Sequence, residues 1–163
     1  AEAYEQVFTD AAAFEEIEMD DTLIQTIRDQ LDQEGYKAQS IEEVMRAEDQ
    51  SGETLGYAFA VVTSEGYGGD IRFSMGVQND GTLNGISILS IGETAGLGMN
   101  ADTPAFKDQF VGKQVEKLQY TKNGATQDDE INAISGATVT TNAMTNGVNA
   151  GLCAFRVMEG GDQ

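Results

Sequence analysis

A short run of small and hydroxyl-bearing residues near the carboxyl end of the chain has the composition of a phosphate-binding turn. It consists of Ser135, Gly136, Ala137 and Thr138, and it lies where a loop enters the last predicted helix. The first amides of a helix are unpaired and lie at the positive end of its dipole, which favours a phosphate there. Taken alone, however, such residues more often form an ordinary N-terminal helix cap that binds no ligand.

A second candidate binding segment is rich in glycine and runs from Glu93 through Thr94, Gly96 and Leu97 to Gly98. The glycines let the backbone approach a flat ligand closely. The leucine side chain can lie against an aromatic ring, and the threonine hydroxyl can hydrogen-bond to the edge of that ring. Glycine-rich loops are also common as tight turns between a strand and a helix, so this segment on its own favours a turn over a ligand site.

The residue types that the chain lacks exclude several other kinds of chemistry. It contains no histidine and a single cysteine, Cys153. Histidine-ligated zinc, Ser-His-Asp catalysis and a histidyl-flavin bond all need an imidazole. An internal disulfide or an iron–sulfur cluster within this chain would need further cysteines. Cys153 falls in an apolar stretch and is predicted to be a buried structural thiol.

The net charge excludes one further class of partner. Nine Lys and Arg residues against 28 Asp and Glu residues give a formal net charge of −19. Sequence-independent binding to nucleic acid depends on surplus basic residues that neutralise phosphates, so we expect no nucleic acid partner. The acidic pairs Asp20–Asp21, Glu42–Glu43 and Asp128–Asp129 are interpreted as solvated surface, with a calcium site as the less favoured alternative.

Hydrophobic periodicity predicts the elements that would position these segments, beginning with a helix in the first third of the chain. Asp20 is expected to cap this helix and Gly35 to end it. A short element around residues 14–17 precedes it. The apolar face of the helix consists of Leu23, Ile24, Ile27 and Leu31.

Four alternating apolar segments then predict strands that pair in chain order. The clearest turn between them is Asn79-Asp80-Gly81, because Asp-Gly favours the positive φ of a hairpin. We therefore expect an antiparallel meander with one face covered. In the second strand that face consists of Leu55, Tyr57, Phe59 and Val61. The predicted strands are Ile41–Ala47, Thr54–Thr63, Ile71–Gln78 and Leu83–Ser90.

The rest of the chain predicts a short helix over Pro104–Phe110, a strand over Val115–Tyr120 and a long helix from about Ala137 to Met158. The long helix has an approximate apolar stripe of Val139, Ala143, Val148, Leu152 and Phe155. The predicted fold class is α+β, with a single domain in which an antiparallel β-sheet meander packs against helices.

Six short segments between about Gly52 and Leu152 occur in the order and spacing of a known family. They are Gly56-Tyr57, Gly66–Gly69, Asn79–Gly81, Glu93–Gly98, Phe106–Gly112 and Ser135–Thr138. Through them the chain resembles the FMN-binding domain shared by RnfG, a subunit of the Rnf ion-pumping electron-transport complex, and NqrC, a subunit of the sodium-pumping NADH:quinone oxidoreductase. The resemblance to RnfG is modestly better.

This resemblance implies FMN as the cofactor, bound covalently by a phosphoester to Thr138 within the motif Ser135–Thr138. In the family, a flavin transferase forms that bond from FAD with Mg²⁺ and releases AMP. Tyr57 and Tyr67 could stack on the flavin, but core packing is the better default. The resemblance further implies that the isoalloxazine ring is lined by Glu93, Thr94, Gly96, Leu97 and Gly98.

Two positions depart from the family pattern. Asn132 stands three residues before the serine, where the family usually has Asp. If the transferase reads that position, modification is predicted to be less efficient. Ala95 stands where the family usually has proline in the ring loop, which predicts a looser loop with the same contact groups.

The resemblance also implies a function and a location. The chain would be an electron-transfer subunit of an ion-translocating Rnf-type oxidoreductase complex, with other membrane subunits as partners and no turnover on its own. It would lie on the extracytoplasmic face of the cell membrane, anchored by an N-terminal helix absent from this chain, which is therefore interpreted as a soluble fragment. No catalytic residue and no resident metal are predicted.

The organisation expected from the resemblance is an FMN-binding domain over residues 51–163. Residues 1–50 form a helix and strand segment packed on it within one structural domain. Two alternatives to the electron-transfer subunit remain open. One is a free-standing FMN-binding domain that serves an extracytoplasmic reductase, and the other is an interaction module without a cofactor.

Overall fold

A five-stranded antiparallel sheet forms the centre of the structure, a computed structural model in which residues 2–161 are described. Each strand pairs with its neighbour in the chain, so the predicted α+β fold with an antiparallel meander is confirmed. In their order across the sheet, the strands are β1 (Ala13–Glu16), β2 (Gln39–Glu48), β3 (Thr54–Thr63), β4 (Ile71–Gln78) and β5 (Leu83–Ser90).

The helices within residues 2–161 are α1 (Glu2–Val7), α2 (Asp21–Glu34), α3 (Pro104–Lys107) and α4 (Thr138–Gly161). The predicted short helix is therefore found as α3, followed directly by a 3₁₀ turn at Asp108–Phe110, and another 3₁₀ turn spans Gly98–Asp102. None of the helices in the described part of the chain combines the length and the apolar character that crossing a bilayer requires.

The helix α2 begins and ends where the sequence predicts. The Asp20 carboxylate accepts a hydrogen bond from the Leu23 amide at 2.8 Å, and Gly35 adopts a φ of 91° at the other end. These are the usual side-chain cap and left-handed glycine cap of a helix.

The main core lies between one face of the sheet and the helices α2 and α4. Two members of the predicted apolar stripes are exposed instead, Ile24 of α2 and Val139 of α4. Both lie in the first turn of their helices, ahead of the buried residues. Core residues include Ile27, Leu31, Tyr57, Phe59, Val61, Phe73, Met75, Val148, Leu152 and Phe155.

The opposite face of the sheet is covered as well, so the expectation of a single covered face was wrong. Here α1 and Phe8 pack over the sheet, and Gly76 makes room for them, because a Cβ there would lie 2.3 Å from the Val7 carbonyl oxygen. A helix of six residues shows too little periodicity to be read from sequence. The second cluster consists of Tyr4, Val7, Phe8, Ala47, Ala58 and Ala60.

Leu55 also packs against this second cluster, although its spacing predicted the main core face. The reason is a local irregularity in the pairing of β2 with β3. Ala47 pairs with Gly56 and Glu48 pairs with Thr54, so Leu55 lies at a shift in register. An irregularity of this kind interrupts the alternation of side chains along a strand.

A short parallel ladder leads into α4 and joins β6 (Gln119–Thr121) to β7 (Glu130–Asn132). The strand predicted over Val115–Tyr120 therefore starts later than expected. The backbone of Leu118 hydrogen-bonds to the Asn149 side chain of α4 at 2.7 and 2.9 Å instead of entering a sheet. The strand β7 is too short for its alternation to be detected.

The chain before residue 51 contributes β1 and β2 to the sheet, and β2 pairs with β3 along most of its length. The division into a segment 1–50 and an FMN-binding domain 51–163 stays a prediction. Residues 1, 162 and 163 of those ranges lie outside the described residues.

Candidate functional site

Three segments that are distant in the chain meet around a pocket of about 650 Å³. One is the loop between β3 and β4, the second is the glycine-rich loop after β5, and the third is the entry into α4. The pocket is lined by Tyr67, Thr94, Leu97, Gly98, Gly136, Ala137, Thr138, Val139 and Thr140.

The first turn of α4 offers unpaired amides to this pocket. The Thr141 hydroxyl accepts a hydrogen bond from the Ile134 amide at 3.0 Å and donates one to the Ala137 carbonyl at 2.9 Å, which fixes the turn before the helix. Within residues 2–161, no acceptor is found for the amides of Thr138, Val139 and Thr140. The entry into α4 therefore has the donors that a phosphate needs.

The three threonines at the start of α4 differ in what their hydroxyls contact. The Thr140 hydroxyl donates to Glu93 Oε1 at 2.6 Å, and the Thr141 hydroxyl donates to a backbone carbonyl. Both side chains are buried. The Thr138 side chain is half-buried at the pocket wall, and its hydroxyl forms no hydrogen bond with the described part of the chain.

Glu93 lies behind the pocket wall and not among its lining residues. Its carboxylate accepts hydrogen bonds from the Tyr67 amide at 2.8 Å, the Gly68 amide at 2.5 Å and the Thr140 hydroxyl at 2.6 Å. The carboxylate thus joins all three segments of the pocket. The family resemblance predicts that Glu93 lines the isoalloxazine ring. In the structure, the Glu93 carboxylate holds together the three segments that form the pocket wall.

The rim of the pocket is apolar and open to solvent. Tyr67 is 76% exposed, Val139 is 51% exposed and Leu97 is 43% exposed. The default of core packing was therefore wrong for Tyr67, because the glycines around it form a loop that projects from the sheet. It was correct for Tyr57, which is buried against Phe155 with ring centroids 6.4 Å apart.

Ser135 and Asn132 line a separate cavity of about 480 Å³, whose lining does not include Thr138. The Asn132 side-chain oxygen accepts a hydrogen bond from the Ala125 amide at 2.7 Å, and its backbone amide donates to Gln109. Gly96 is in neither cavity lining and supplies a left-handed turn with a φ of 78°.

The other residues singled out from sequence lie away from the pocket. Cys153 is buried as predicted, and burial together with the nearby Glu34 raises the pKa of its thiol to about 12. Asp20 caps α2, Glu42 pairs with Arg72, and Glu43 accepts a hydrogen bond from Tyr4. Among the described residues, no cluster of three or more Cys, Asp or Glu side chains forms a metal site.

Comparison with known families shows which family the chain belongs to. Residues 66–152, more than half of the chain, match the FMN-binding domain family. The chain belongs to the FMN-binding domain family. The matched span contains all three segments of the pocket, and the resemblance stated from the sequence is confirmed.

Two curated relatives are components of ion-translocating complexes. The chain is 35% identical over 108 residues to the G subunit of the Na(+)-translocating ferredoxin:NAD(+) oxidoreductase complex of Acetobacterium woodii, covering 65% of this chain and 52% of the relative. It is 38% identical over 98 residues to the G subunit of the proton-translocating ferredoxin:NAD(+) oxidoreductase complex of Clostridium ljungdahlii, covering 60% and 52%. The chain spans about half the length of the curated relatives it matches.

The fold is also found in a solved structure. The C subunit of the Na(+)-translocating NADH-quinone reductase of Parabacteroides distasonis superimposes with a TM-score of 0.59 at 25% identity, covering 72% of this chain and 62% of that one. This likeness supports the assignment of the sheet and helix arrangement to the FMN-binding fold.

The residues of the pocket fit an FMN molecule. A volume of about 650 Å³ lies within the range of roughly 300–1,000 Å³ that is usual for small-molecule sites. The unpaired amides at α4 suit the phosphate, and the apolar rim suits a flat ring system. Gly136 adopts a φ of 72°, and a Cβ there would lie 3.1 Å from Leu97 Cδ2, so the glycine-rich loop and the turn before α4 approach each other closely.

Sequence reasoning missed Val139 and Thr140 as pocket residues and assigned Tyr67 to the core by default. Val139 was assigned to the helical stripe, and the spacing within a helix does not reveal which face of its first turn is left uncovered. Tyr67 carried a usable signal, because it stands between glycines in a loop where a core position is uncommon.

Proposed function

We propose that this chain carries FMN as a phosphoester of Thr138 and transfers electrons as part of an ion-translocating oxidoreductase complex of the Rnf type. The observation that carries the attachment is the difference between the threonine hydroxyls of α4. Thr140 and Thr141 are committed to protein acceptors, whereas the Thr138 hydroxyl lies at the pocket wall without one.

The attachment needs a donor of the flavin, for which we propose FAD and a Mg²⁺-dependent flavin transferase. The bond between Thr138 Oγ1 and the flavin-side phosphorus forms, the phosphoanhydride bond of FAD breaks, AMP leaves and the hydroxyl proton is released. The amides at the start of α4 hold the phosphate in the product. Because Ser135, Gly136 and Ala137 are small, they leave this hydroxyl accessible to the transferase.

The isoalloxazine ring of bound FMN would supply the electron-carrying chemistry, and the chain supplies binding and orientation. We propose that Leu97, Thr94 and Gly98 line the ring, with Tyr67 and Val139 at the rim. Glu93 and Gly96 shape the loop that presents these residues. The tether at Thr138 holds the cofactor without touching the conjugated ring.

The composition of the pocket favours electron carriage over substrate turnover. The one ionisable side chain among its lining residues is Tyr67. A reaction with proton transfer to a bound substrate calls for an acid or base within hydrogen-bond reach. We therefore propose no catalytic residue, and we expect no turnover by the isolated domain.

The named relatives support the proposal about partners, and the resemblance noted in the sequence motivates the proposal about location. Both the Acetobacterium and the Clostridium relative belong to complexes that translocate ions, so we propose that other membrane subunits of an Rnf-type complex exchange electrons with this domain. The exposed rim of the pocket suits such exchange, because a partner can approach the cofactor there. We place the domain on the extracytoplasmic face of the membrane.

The experiment that tests attachment compares hydroxyl variants in a labelling reaction with purified transferase, FAD and Mg²⁺. Thr138→Val keeps the shape of the side chain and removes the nucleophile, so no flavin should be incorporated. Thr138→Ser should still be labelled, because it keeps the hydroxyl. Ser135→Ala is the matched control and should be labelled as well, because Ser135 lines the separate cavity.

Covalent flavin is detected by fluorescence of the denatured protein in a gel. Labelling of Thr138→Val at the rate of the unaltered chain would contradict the proposal. Loss of labelling in Ser135→Ala with full labelling of Thr138→Val would place the ester on the serine instead.

A further inference from the structure

We propose that Glu93 is a positioning residue whose carboxylate clasps the Tyr67 loop to the first turn of α4 and thereby holds one wall of the FMN pocket in place. The identity of the ligand rests on the proposed function. The clasp itself concerns contacts within the chain and is testable without flavin.

The geometry of the clasp uses both oxygens of the carboxylate. Oε1 accepts from the Tyr67 amide at 2.8 Å and from the Thr140 hydroxyl at 2.6 Å, and Oε2 accepts from the Gly68 amide at 2.5 Å. Glu93 is 7% exposed and Thr140 is 2% exposed. Two loop amides and one helix side chain therefore converge on a single buried acceptor.

The chemistry of the three partners requires a carboxylate at this position. An ionised carboxylate accepts at both oxygens, whereas the side chain of glutamine accepts at one and donates at the other. In Glu93→Gln, the amide nitrogen would face either the Gly68 amide or the Tyr67 amide and the Thr140 hydroxyl. A donor would then face a donor in a buried place, and the loop would be released.

Two glycines show how closely the chain packs around this carboxylate. A Cβ at Gly68 would lie 2.3 Å from the Gly92 carbonyl oxygen and 2.8 Å from Glu93 Oε2. A Cβ at Gly98 would lie 2.5 Å from the Thr140 hydroxyl oxygen and 2.7 Å from Glu93 Cβ. Gly98, to which the sequence analysis gives a role in ligand approach, thus makes room for the clasp, as does Gly68.

The consequence for the pocket concerns Tyr67. Its ring is largely exposed and receives little support from packing, while its own amide and the next one are both bonded to Glu93. The position of the ring at the rim therefore depends on a carboxylate that does not itself line the pocket.

The test begins with hydrogen exchange of the Tyr67 and Gly68 amides, measured by NMR in the flavin-free chain. Glu93→Gln should speed exchange of both amides by at least about tenfold, because the buried contact between two donors releases the loop that carries them. Thr140→Val removes the hydrogen bond from α4 to Glu93 and should speed exchange of the two amides by a smaller factor. Thr140→Ser keeps the hydroxyl and should return the exchange rates to those of the unaltered chain. Glu42→Gln, at a solvent-exposed glutamate, is the control and should leave both amides unchanged.

A second readout separates positioning from general structural support. In chain that carries flavin, Glu93→Gln and Thr140→Val should shift the flavin absorbance and reduction potential, whereas Glu42→Gln should not. Exchange that stays at the unaltered rate in Glu93→Gln would overturn the clasp. Faster exchange with an unchanged flavin spectrum and potential would overturn the positioning role.

A failure of the proposed function can be distinguished from a failure of the clasp and from a failure of the positioning role. If the unaltered chain takes no flavin, the proposed function fails, and amide exchange in the flavin-free variants still decides whether the clasp exists. If Glu93→Gln does not fold, the comparison of Thr140→Val with Thr140→Ser decides the same question.

Discussion

At the scale of single residues, Leu97 is the side chain of the pocket rim that is best placed to report on the proposed flavin ring. Its side chain is 43% exposed at the pocket rim and approaches Gly136 across the pocket. Because so much of the side chain is exposed, we expect Leu97→Ala to change the free energy of unfolding by less than about 0.5 kcal/mol.

The expected effect of Leu97→Ala is on the bound flavin. Water that enters in place of the side chain should stabilise the charged reduced form, so the reduction potential should rise while attachment at Thr138 continues. Potentiometry and peptide mapping check the two parts. Leu89→Ala is the matched control, because Leu89 is 48% exposed and lies outside the pocket lining. An unchanged spectrum and potential in Leu97→Ala would mean that this loop does not line the ring.

Asn132→Asp tests the departure from the family pattern at position 132, where the family usually has Asp. The side-chain oxygen of Asn132 already accepts from the Ala125 amide, and a carboxylate can keep that bond while it offers a second oxygen. Hard cations such as Mg²⁺ prefer carboxylate oxygens. We therefore predict a several-fold faster labelling by transferase and FAD with unchanged stability, measured side by side with the unaltered chain. Equal rates would show that the transferase does not require a carboxylate there.

Sequence reasoning predicts the candidate residues better than it predicts their contacts. Thr138, Thr94 and Leu97 were named from residue type and motif, and all three line the pocket. Glu93 was named too, but its position behind the wall depends on donors that come from two distant segments. Hydrogen-bond donors from distant segments are brought together by the tertiary structure, so the local spacing of residues does not predict them.

At the scale of elements, one buried tyrosine adds a hydrogen bond to the packing of α1 on the sheet. Tyr4 is 5% exposed, and its hydroxyl donates to Glu43 on β2. Burial removes the hydration that a phenolate needs, and the Glu43 hydrogen bond and charge act in the same direction, so the pKa of Tyr4 is raised well above its ordinary value. The neutral phenol is therefore the form that the folded chain stabilises.

This shift predicts a loss of stability in alkali. A group with a raised folded-state pKa contributes stability that is fully present below its unfolded pKa of about 10 and is lost as the pH rises through the folded-state value. Tyr4→Phe should therefore lower the free energy of unfolding by about 1 kcal/mol at pH 8. It should also flatten the decline above pH 10. Urea unfolding across this pH range checks both, with the exposed Tyr67→Phe as control. An alkaline decline as steep in Tyr4→Phe as in the unaltered chain would contradict this account.

Elements with strong periodicity were predicted from sequence and short ones were not. Capping residues mark the ends of α2, and turn residues mark the ends of β3 and β5. These local signals were sufficient to predict the bounds of the three elements from sequence. The helix α1 and the ladder of β6 with β7 exist because tertiary contacts hold them, and segments of three to six residues are too short to show a period. The covering of the second sheet face went unnoticed for the same reason.

At the scale of the whole molecule, the net charge of −19 sets the dependence on salt. Like charges repel one another most in the compact state, and the screening length falls from about 30 Å at 0.01 M salt to about 3 Å at 1 M. The melting temperature should therefore rise over this range of sodium chloride. Potassium chloride should have an equal effect, because screening does not depend on which monovalent cation supplies it. A melting temperature that is constant or falls with salt would contradict this expectation.

The central claim, FMN on Thr138, is tested most directly by mass spectrometry of the chain after export from cells that contain the flavin transferase. The account predicts an intact mass that exceeds the sequence mass by one FMN less one water. Fragment spectra should then place this addition on Thr138. An intact mass equal to the sequence mass, or an addition on any other residue, would contradict it.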